Sequence, residues 1–280
     1  MTVVKQAKPI VDVNIRNVIG STSNSLVDQL SVEEPLEIQI TAEIDGRRRT
    51  ESIAVTMRTP GDDRELAAGF LFTEGIITGR ADIQEIKIEK CNTVTAILNE
   101  GVTVDPAVFE RHSFVASSCG VCGKKSIAAV RVRRNYELIH AEPLLAAETF
   151  HTLPEKLRSA QSSFASTGGI HASGLFDTTG KLLSVREDVG RHNALDKLIG
   201  SELLSGRLPL SQRIVMVSGR ASFELVQKAA HAGVAILAAV GAPSSLAVQL
   251  AEECGMTLLG FVRDNRFNVY MGNQRVMLVK

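Results

Sequence analysis

Between Ile214 and Arg263 the chain alternates short apolar runs with amphipathic ones, and no other stretch restricts the fold as tightly. Ile214-Val-Met-Val217 reads as a buried strand, followed by a helix from about Ser222 to Ala232. Ala235 to Val240 reads as a second strand, with a helix to about Cys254, and Thr257 to Val262 as a third. The connections are short, and strands joined by helical crossovers run parallel. Open parallel sheets bind ligands at the carboxyl ends of their strands. Here those ends carry Ser218-Gly219-Arg220, Gly241-Ala-Pro-Ser-Ser245 and Arg263-Asp264-Asn265-Arg266. Two of them lead into helix N-termini, whose free N–H groups suit phosphate, and arginine adds bidentate pairing with phosphate oxygens. There is no Walker loop and no G-x-G-x-x-G fingerprint. The pattern predicts a cradle for phosphate or a nucleotide, set against the plainer reading of ordinary βα loops with solvated arginines.

The rest of the chain divides around this run. Leu36, Ile38, Ile40 and Ile44 alternate, Asp45-Gly46 marks a turn, and Ile53, Val55 and Met57 alternate after it, which predicts a hairpin. Pro60-Gly61 ends it, and Asp62 or Asp63 is placed to cap a short helix through Leu71. Residues 83 to 104 return to strand-like alternation around Cys91-Asn92. Residues 1 to about 20 lack strong periodicity and are expected to be partly mobile. Leu153-Pro154 opens a helix expected to run to about Phe164, and a strand pair is expected to turn at Thr179-Gly180 before a helix containing Gly190 to Lys197. The resulting division is an N-terminal β-rich α+β part over 1–142, ending in a loop at 111–126, and an α/β domain with parallel strands over 143–280.

Composition narrows the function. Lys+Arg and Asp+Glu are 31 each, so no global field draws the chain to nucleic acid or a membrane. Trp is absent and aromatics are 4%, which argues against a stacking platform for single strands. The N-terminus has no signal-peptide pattern, and the longest apolar stretch, Val234 to Val240, is too short to span a bilayer. The expectation is a cytoplasmic protein without membrane insertion, in which four cysteines do not suggest a disulfide framework.

Residues 111 to 126 are small, polar and rich in Gly and Ser, and carry Cys119-Gly-Val-Cys122. Two intervening residues let both sulfurs meet, as a disulfide, as metal ligands, or as nucleophile and partner. Lys124 and Lys125 favour the thiolate. A structural zinc site needs about four ligands, and Cys91 and Cys254 stand alone. A thioredoxin-type motif should open a helix, and a zinc deaminase would place H-x-E before P-C-x-x-C. No metal site is therefore assigned. What remains is covalent thiol or sulfur chemistry on an exposed arm. Among the histidines, His171 lies beside Gly168-Gly169 and Ser173-Gly174, and His192 follows Glu187-Asp188-Val-Gly-Arg191. Each fits a general base, a phosphate partner or a structural donor. His140, His151 and His231 read as packing or surface residues.

In combination, several segments resemble the formate dehydrogenase accessory sulfurtransferases, the FdhD family. They are Ser118-Cys-Gly-Val-Cys-Gly123, Thr167-Gly-Gly-Ile-His-Ala-Ser-Gly174, Glu187-Asp-Val-Gly-Arg-His-Asn-Ala-Leu-Asp-Lys197, Val217-Ser-Gly-Arg220, Gly241-Ala-Pro-Ser-Ser245 and Gly260-Phe-Val-Arg263. The resemblance runs from about Glu33 to Tyr270. It implies a sulfur carrier that takes persulfide sulfur from a cysteine desulfurase and passes it to the molybdenum cofactor, in its bis-molybdopterin guanine dinucleotide form, before that cofactor enters formate dehydrogenase. It also implies a cytidine-deaminase-like domain without the deaminase zinc, a cytoplasmic homodimer, and a guanine nucleotide able to occupy the cofactor site. Cys119 would hold the persulfide and Cys122 would assist. Phe261, Val262, Arg263, Asp264, Asn265 and Arg266 would bind the cofactor, with Ser218, Gly219, Arg220, His171 and His192 in the same cleft. The competing reading is a chaperone that delivers the cofactor without covalent sulfur transfer.

Overall fold

The computed structural model describes residues 8–90, 92–106, 136–138 and 142–278. The loop expected at 111–126 with Cys119, Cys122, Lys124 and Lys125, the strand expected near Ala129 to Val132, and Cys91 and His140 lie outside these residues.

Residues 10–19 form a strand that the sequence did not announce. Ile10–Ile19 (β1) and Thr22–Ser31 (β2) form an antiparallel ribbon turning at Gly20. Its second strand is largely polar and nearly all of it is exposed, so no buried face imposes an alternation that would announce it. The next hairpin is as expected. Glu34–Ile44 (β3) and Arg47–Arg58 (β4) turn at Asp45-Gly46, with φ of 51° and 71°. Two positive φ values in a two-residue loop match the right-handed twist of the strands. Leu36, Ile38, Ile40, Ala42 and Ile44 all face inward from β3. Ile83–Lys90 (β5) and Thr93–Leu98 (β6) complete a four-stranded sheet in the order β4-β3-β6-β5, with β6 parallel to β3.

Asp63–Thr73 (α1) covers this sheet. Neither aspartate caps it through its side chain. Asp62 has a φ of 57°, and Asp63 turns to the buried Arg58, accepting from Nε at 2.9 Å and Nη2 at 3.1 Å. The other side of α1 packs on Arg191–Leu204 (α5). A Cβ on Gly69 would overlap the carbonyl of Asp196, and one on Gly200 the carbonyl of Glu65. The two helices therefore meet backbone to backbone, which only glycine permits.

The C-terminal half holds the alternating run. Its sheet has six strands in the order β13-β12-β11-β10-β8-β9: His171–Phe176 (β8), Leu182–Asp188 (β9), Ile214–Val217 (β10), Ile236–Ala239 (β11), Thr257–Arg263 (β12) and Arg266–Met271 (β13). The three central strands are parallel as expected, with Val215 opposite Leu237 and Leu237 opposite Leu258. They are flanked by antiparallel neighbours on both sides, so the sheet is mixed. Val215 and Val217 face a core shared with α5, Phe223–His231 (α6) and Ser245–Glu253 (α7). Ile214 and Met216 face a second core with Ala147–His151 (α2) and Leu153–Ala160 (α3). Two buried faces explain why these strands read as unbroken apolar runs. A short parallel pair, Leu145–Ala146 (β7) with Val276–Met277 (β14), closes that layer. Among the described residues no helix is long and apolar enough to cross a membrane.

The helix expected from Leu153 to Phe164 is two helices. Gln161, with ψ of 86°, separates α3 from Ser162–Thr167 (α4). The break is held from β9, where the Glu187 carboxylate accepts from the N–H groups of Ser163 and Phe164, both at 2.9 Å. A distant carboxylate thus caps the second helix, a contact with no local signature.

Candidate functional site

The carboxyl ends of the parallel strands are laced into one rim. Ser218 N–H donates to Ala172 O at 2.9 Å, and Ala172 N–H returns to Ser218 Oγ at 2.9 Å. Gly241 N–H donates to Gly219 O at 3.0 Å, and Phe261 N–H to Gly241 O at 3.1 Å. Small residues are needed for this closeness. A Cβ on Gly241 would stand 3.1 Å from Gly219 O and from Arg220 Cγ, and one on Gly260 would stand 2.7 Å from Tyr270. The structure therefore brings His171, Ser218, Gly219, Gly241 and Phe261 onto one edge, as the strand-end argument requires.

The predicted cofactor residues separate by exposure. Arg263 and Arg266 are cross-strand partners at the β12–β13 turn, and both are exposed. Between them Asp264 and Asn265 have φ of 51° and 54°, and Phe261 has 53° at a bulge in β12. Six residues in a row, Phe261 to Arg266, thus present backbone and side chains outward, with one exception. Val262 is fully buried in the second core and offers a ligand only its backbone. Arg263 pairs loosely with Asp264 at 3.9 Å, an exposed contact of little energetic weight. Arg220 is exposed as well.

Of the two helix N-termini expected to take phosphate, the one at α7 is capped by a side chain, while Ser222 makes no side-chain cap at α6. At α7, Ser244 Oγ accepts from Ala247 N–H at 3.2 Å. At α6, the first turn carries the buried Glu224, whose carboxylate meets His192 Nε2 at 2.9 Å. Anion binding on this rim accordingly rests on its arginines and backbone. His192 is 5% exposed, bridges α5 to α6, and lies 3.3 Å from Ser222 Oγ, just behind the loop that carries Arg220.

His171 does line the site. Burial, then the nearby Arg191 and His192 side chains, push its proton affinity below the ordinary histidine range, against Asp188. It lines a cavity of about 580 Å³, together with Leu157, Gln161, Phe164, Ser218 and Val240 among others. The α3–α4 wall escaped the sequence reading. Arg158 lies over the Phe164 ring at 3.6 Å. Gln161 is 4% exposed, and its Nε2 has no hydrogen-bond partner among the described residues. The helix break at Gln161 would have pointed to this wall, but a continuous helical pattern hides it.

The segment from Glu187 to Lys197 has a different task. Asp188 meets Lys197 Nζ at 2.8 Å and also accepts from Thr59 N–H, Gly190 N–H and Asn193 Nδ2. Burial raises the proton affinity of Asp188, and Lys197 leads the groups that oppose it. Lys197 also donates to Thr59 O at 2.9 Å, and Asn193 to Met57 O at 2.8 Å. Asp196 pairs with the buried Lys228 at 2.9 Å, with Glu74 at 3.2 Å on its other side. These contacts sew β4 and α1 to α5 and α6. Among the described residues no three His, Cys, Asp or Glu side chains group to hold a metal.

The fold is shared with a known structure, and the sequence with known proteins. The model of the FdhD/NarQ family matches residues 31–277. The sulfur carrier protein FdhD of Streptomyces avermitilis is 47% identical over 261 residues, 90% of each chain. That of Sulfolobus acidocaldarius is 41% identical over 266 residues, 95% of this chain and 98% of the relative. A solved structure, a putative formate dehydrogenase accessory protein from Desulfotalea psychrophila, superposes with a TM-score of 0.75 at 25% identity, covering 96% of this chain and all of the other. A match that runs almost end to end, at such identity, shows that this chain belongs to the FdhD/NarQ family.

Proposed function

We propose that the protein is a sulfur carrier serving formate dehydrogenase, the role carried in the names of relatives 47% identical across 90% of both chains. In this reading a cysteine desulfurase supplies sulfur as a persulfide. The Cys119 thiolate attacks the outer sulfur, a new S–S bond forms on Cys119, the donor S–S bond breaks, and the donor cysteine leaves as thiolate, with no net oxidation. Lys124 and Lys125 favour the attacking thiolate, and Cys122 assists. The acceptor is the molybdenum cofactor in its bis-molybdopterin guanine dinucleotide form, sulfurated before it enters the dehydrogenase.

The acceptor half of the reading is carried by the rim, where exposed arginines converge with glycine backbone at the ends of a parallel sheet. Arg220, Arg263 and Arg266 suit the phosphates of a dinucleotide. Ser218, Gly219, Phe261, Asp264 and Asn265 offer polar and backbone contacts beside them, Val262 its backbone alone. His171, held neutral by burial, accepts or donates one hydrogen bond without adding charge. His192 acts by holding the loop that carries Arg220, through Ser222 and Glu224. The three-layer arrangement around the parallel strands supports a cytidine-deaminase-like origin for this half. The protein works in the cytoplasm as a homodimer.

The test is complementation of cells lacking this protein. Cys119→Ala should abolish formate dehydrogenase activity while molybdenum still reaches the enzyme in unsulfurated form. Full cofactor sulfuration with Cys119→Ala would sink the proposal. Delivery of fully sulfurated cofactor by the double Cys119→Ala, Cys122→Ala variant would establish the chaperone reading in its place.

A further inference from the structure

The β1–β2 ribbon carries an amphipathic pattern that the monomer leaves unused. Its register pairs Val11 with Leu30, Val13 with Asp28, Ile15 with Leu26, Asn17 with Asn24 and Ile19 with Thr22, so these side chains share one face. Six of the ten are apolar, and Val11, Leu30, Leu26 and Ile19 are 47%, 45%, 38% and 70% exposed. Seven of the ten residues on the opposite face are polar, with Gln29 donating to Asp12 at 3.0 Å, and its exposed apolar residues, Val18 and Val27, stand in separate rows. The ribbon touches the body near its base, where Ser31 Oγ and Thr167 Oγ1 are 2.7 Å apart. A two-stranded ribbon is marginal in water by itself, and a contiguous exposed apolar face marks an interaction surface.

We propose that this face is where two copies of the chain meet, on a two-fold axis through the Ile15–Leu26 row. The proposal rests on the homodimer reading above and gives it an interface. An isologous contact must be self-complementary, and this face is so in one orientation. Laying a second ribbon antiparallel over the first sets the Ile15–Leu26 rows on each other and the Val11–Leu30 row against Ile19–Thr22. It also sets Asp28, the one charge on the face, against the Asn24 amide, a hydrogen-bond donor, and Val13 against the neutral Asn17, a smaller mismatch than a carboxylate on hydrocarbon. The parallel orientation would set Asp28 on Val13 and leave a carboxylate against hydrocarbon, which is costly. The chain's formal net charge of +0 adds no repulsion between copies. Ten residues span about 34 Å and two strands about 10 Å, so each ribbon offers a footprint of about 340 Å². That is less than half of the roughly 800 Å² per partner of a standard interface. The dimer is therefore concentration-dependent.

Sedimentation velocity across a range of concentrations tests this on the full chain. The wild type should move from 30.2 kDa toward twice that mass as concentration rises. Leu26→Asp places two carboxylates across the axis and should raise the dissociation constant at least about tenfold. Val18→Asp, on the opposite face, should leave it unchanged. Should Leu26→Asp fail to fold, a photo-crosslinking amino acid at position 26 replaces it, and it should capture residues 22 to 31 of a second copy. A dimer that survives Leu26→Asp, or capture elsewhere, overturns the ribbon interface while the homodimer stands. A wild type that stays monomeric at every concentration overturns both.

Discussion

Two charged regions of this protein are built on opposite terms. In the seam between α1, α5 and α6, each charge is buried and answered: Lys197 is 1% exposed and meets Asp188 at 2.8 Å, and Lys228 meets Asp196 at 2.9 Å and Glu74 at 3.2 Å. Burial lowers the proton affinity of Lys228, but Asp196 and Glu74 outweigh it and hold the lysine charged well above its ordinary range. On the rim the charges are exposed, and Arg220 and Arg266 have no carboxylate partner among the described residues. The difference separates scaffold from proposed site. A paired buried charge costs much to disturb and has nothing left to give a ligand. An unpaired arginine contributes little to stability and keeps its donors free.

The comparison breaks most directly at Lys197. Lys197→Ala leaves the Asp188 carboxylate buried without its cation, and about 3–5 kcal/mol of stability should be lost in urea unfolding. A loss below about 1 kcal/mol would mean that the seam is not what holds the halves together. Gly200→Ala should cost about 1–3 kcal/mol, because a methyl group against the Glu65 carbonyl forces α1 and α5 apart. The rim should behave inversely. Arg220→Ala and Arg266→Ala should each keep stability within about 0.5 kcal/mol of wild type, yet weaken guanosine diphosphate binding by about 1.5 kcal/mol in calorimetry. Equal affinity in both variants would remove the arginines from the nucleotide site.

The smallest effect sharpens the picture at His171. Its proton affinity is lowered in the folded chain, so as pH falls below about 6.5 the unfolded chain takes up a proton that the folded chain resists. Stability present above that pH should decline through this window, and His171→Gln should flatten that part of the profile. An unchanged profile would place the acid sensitivity elsewhere.

The sequence disclosed those parts of the molecule in which one residue's surroundings repeat along the chain. The strands from Ile214, Ile236 and Thr257 are buried on both faces, so unbroken apolar runs announce them, and Asp45-Gly46 announces its own turn. The rim followed, because strand ends of a parallel sheet converge whatever their side chains. The seam was not legible: the tasks of Asp188, Asn193 and Lys197 follow only from partners far along the chain, Thr59 and Met57, and His192, expected in the cleft, pairs with Glu224. The cavity wall at Arg158, Gln161 and Phe164 was hidden for the same reason, since the Glu187 carboxylate that breaks the helix there comes from another strand. The ribbon was missed because its pattern serves no core of its own chain.

The central claim is that Cys119 receives sulfur. Intact-protein mass spectrometry after incubation with a cysteine desulfurase and cysteine tests it, on the wild type, Cys119→Ala and Cys122→Ala. The account predicts a reducible gain of one sulfur mass in the wild type and in Cys122→Ala, and none in Cys119→Ala. A gain that persists in Cys119→Ala, or no gain in any form, would contradict it.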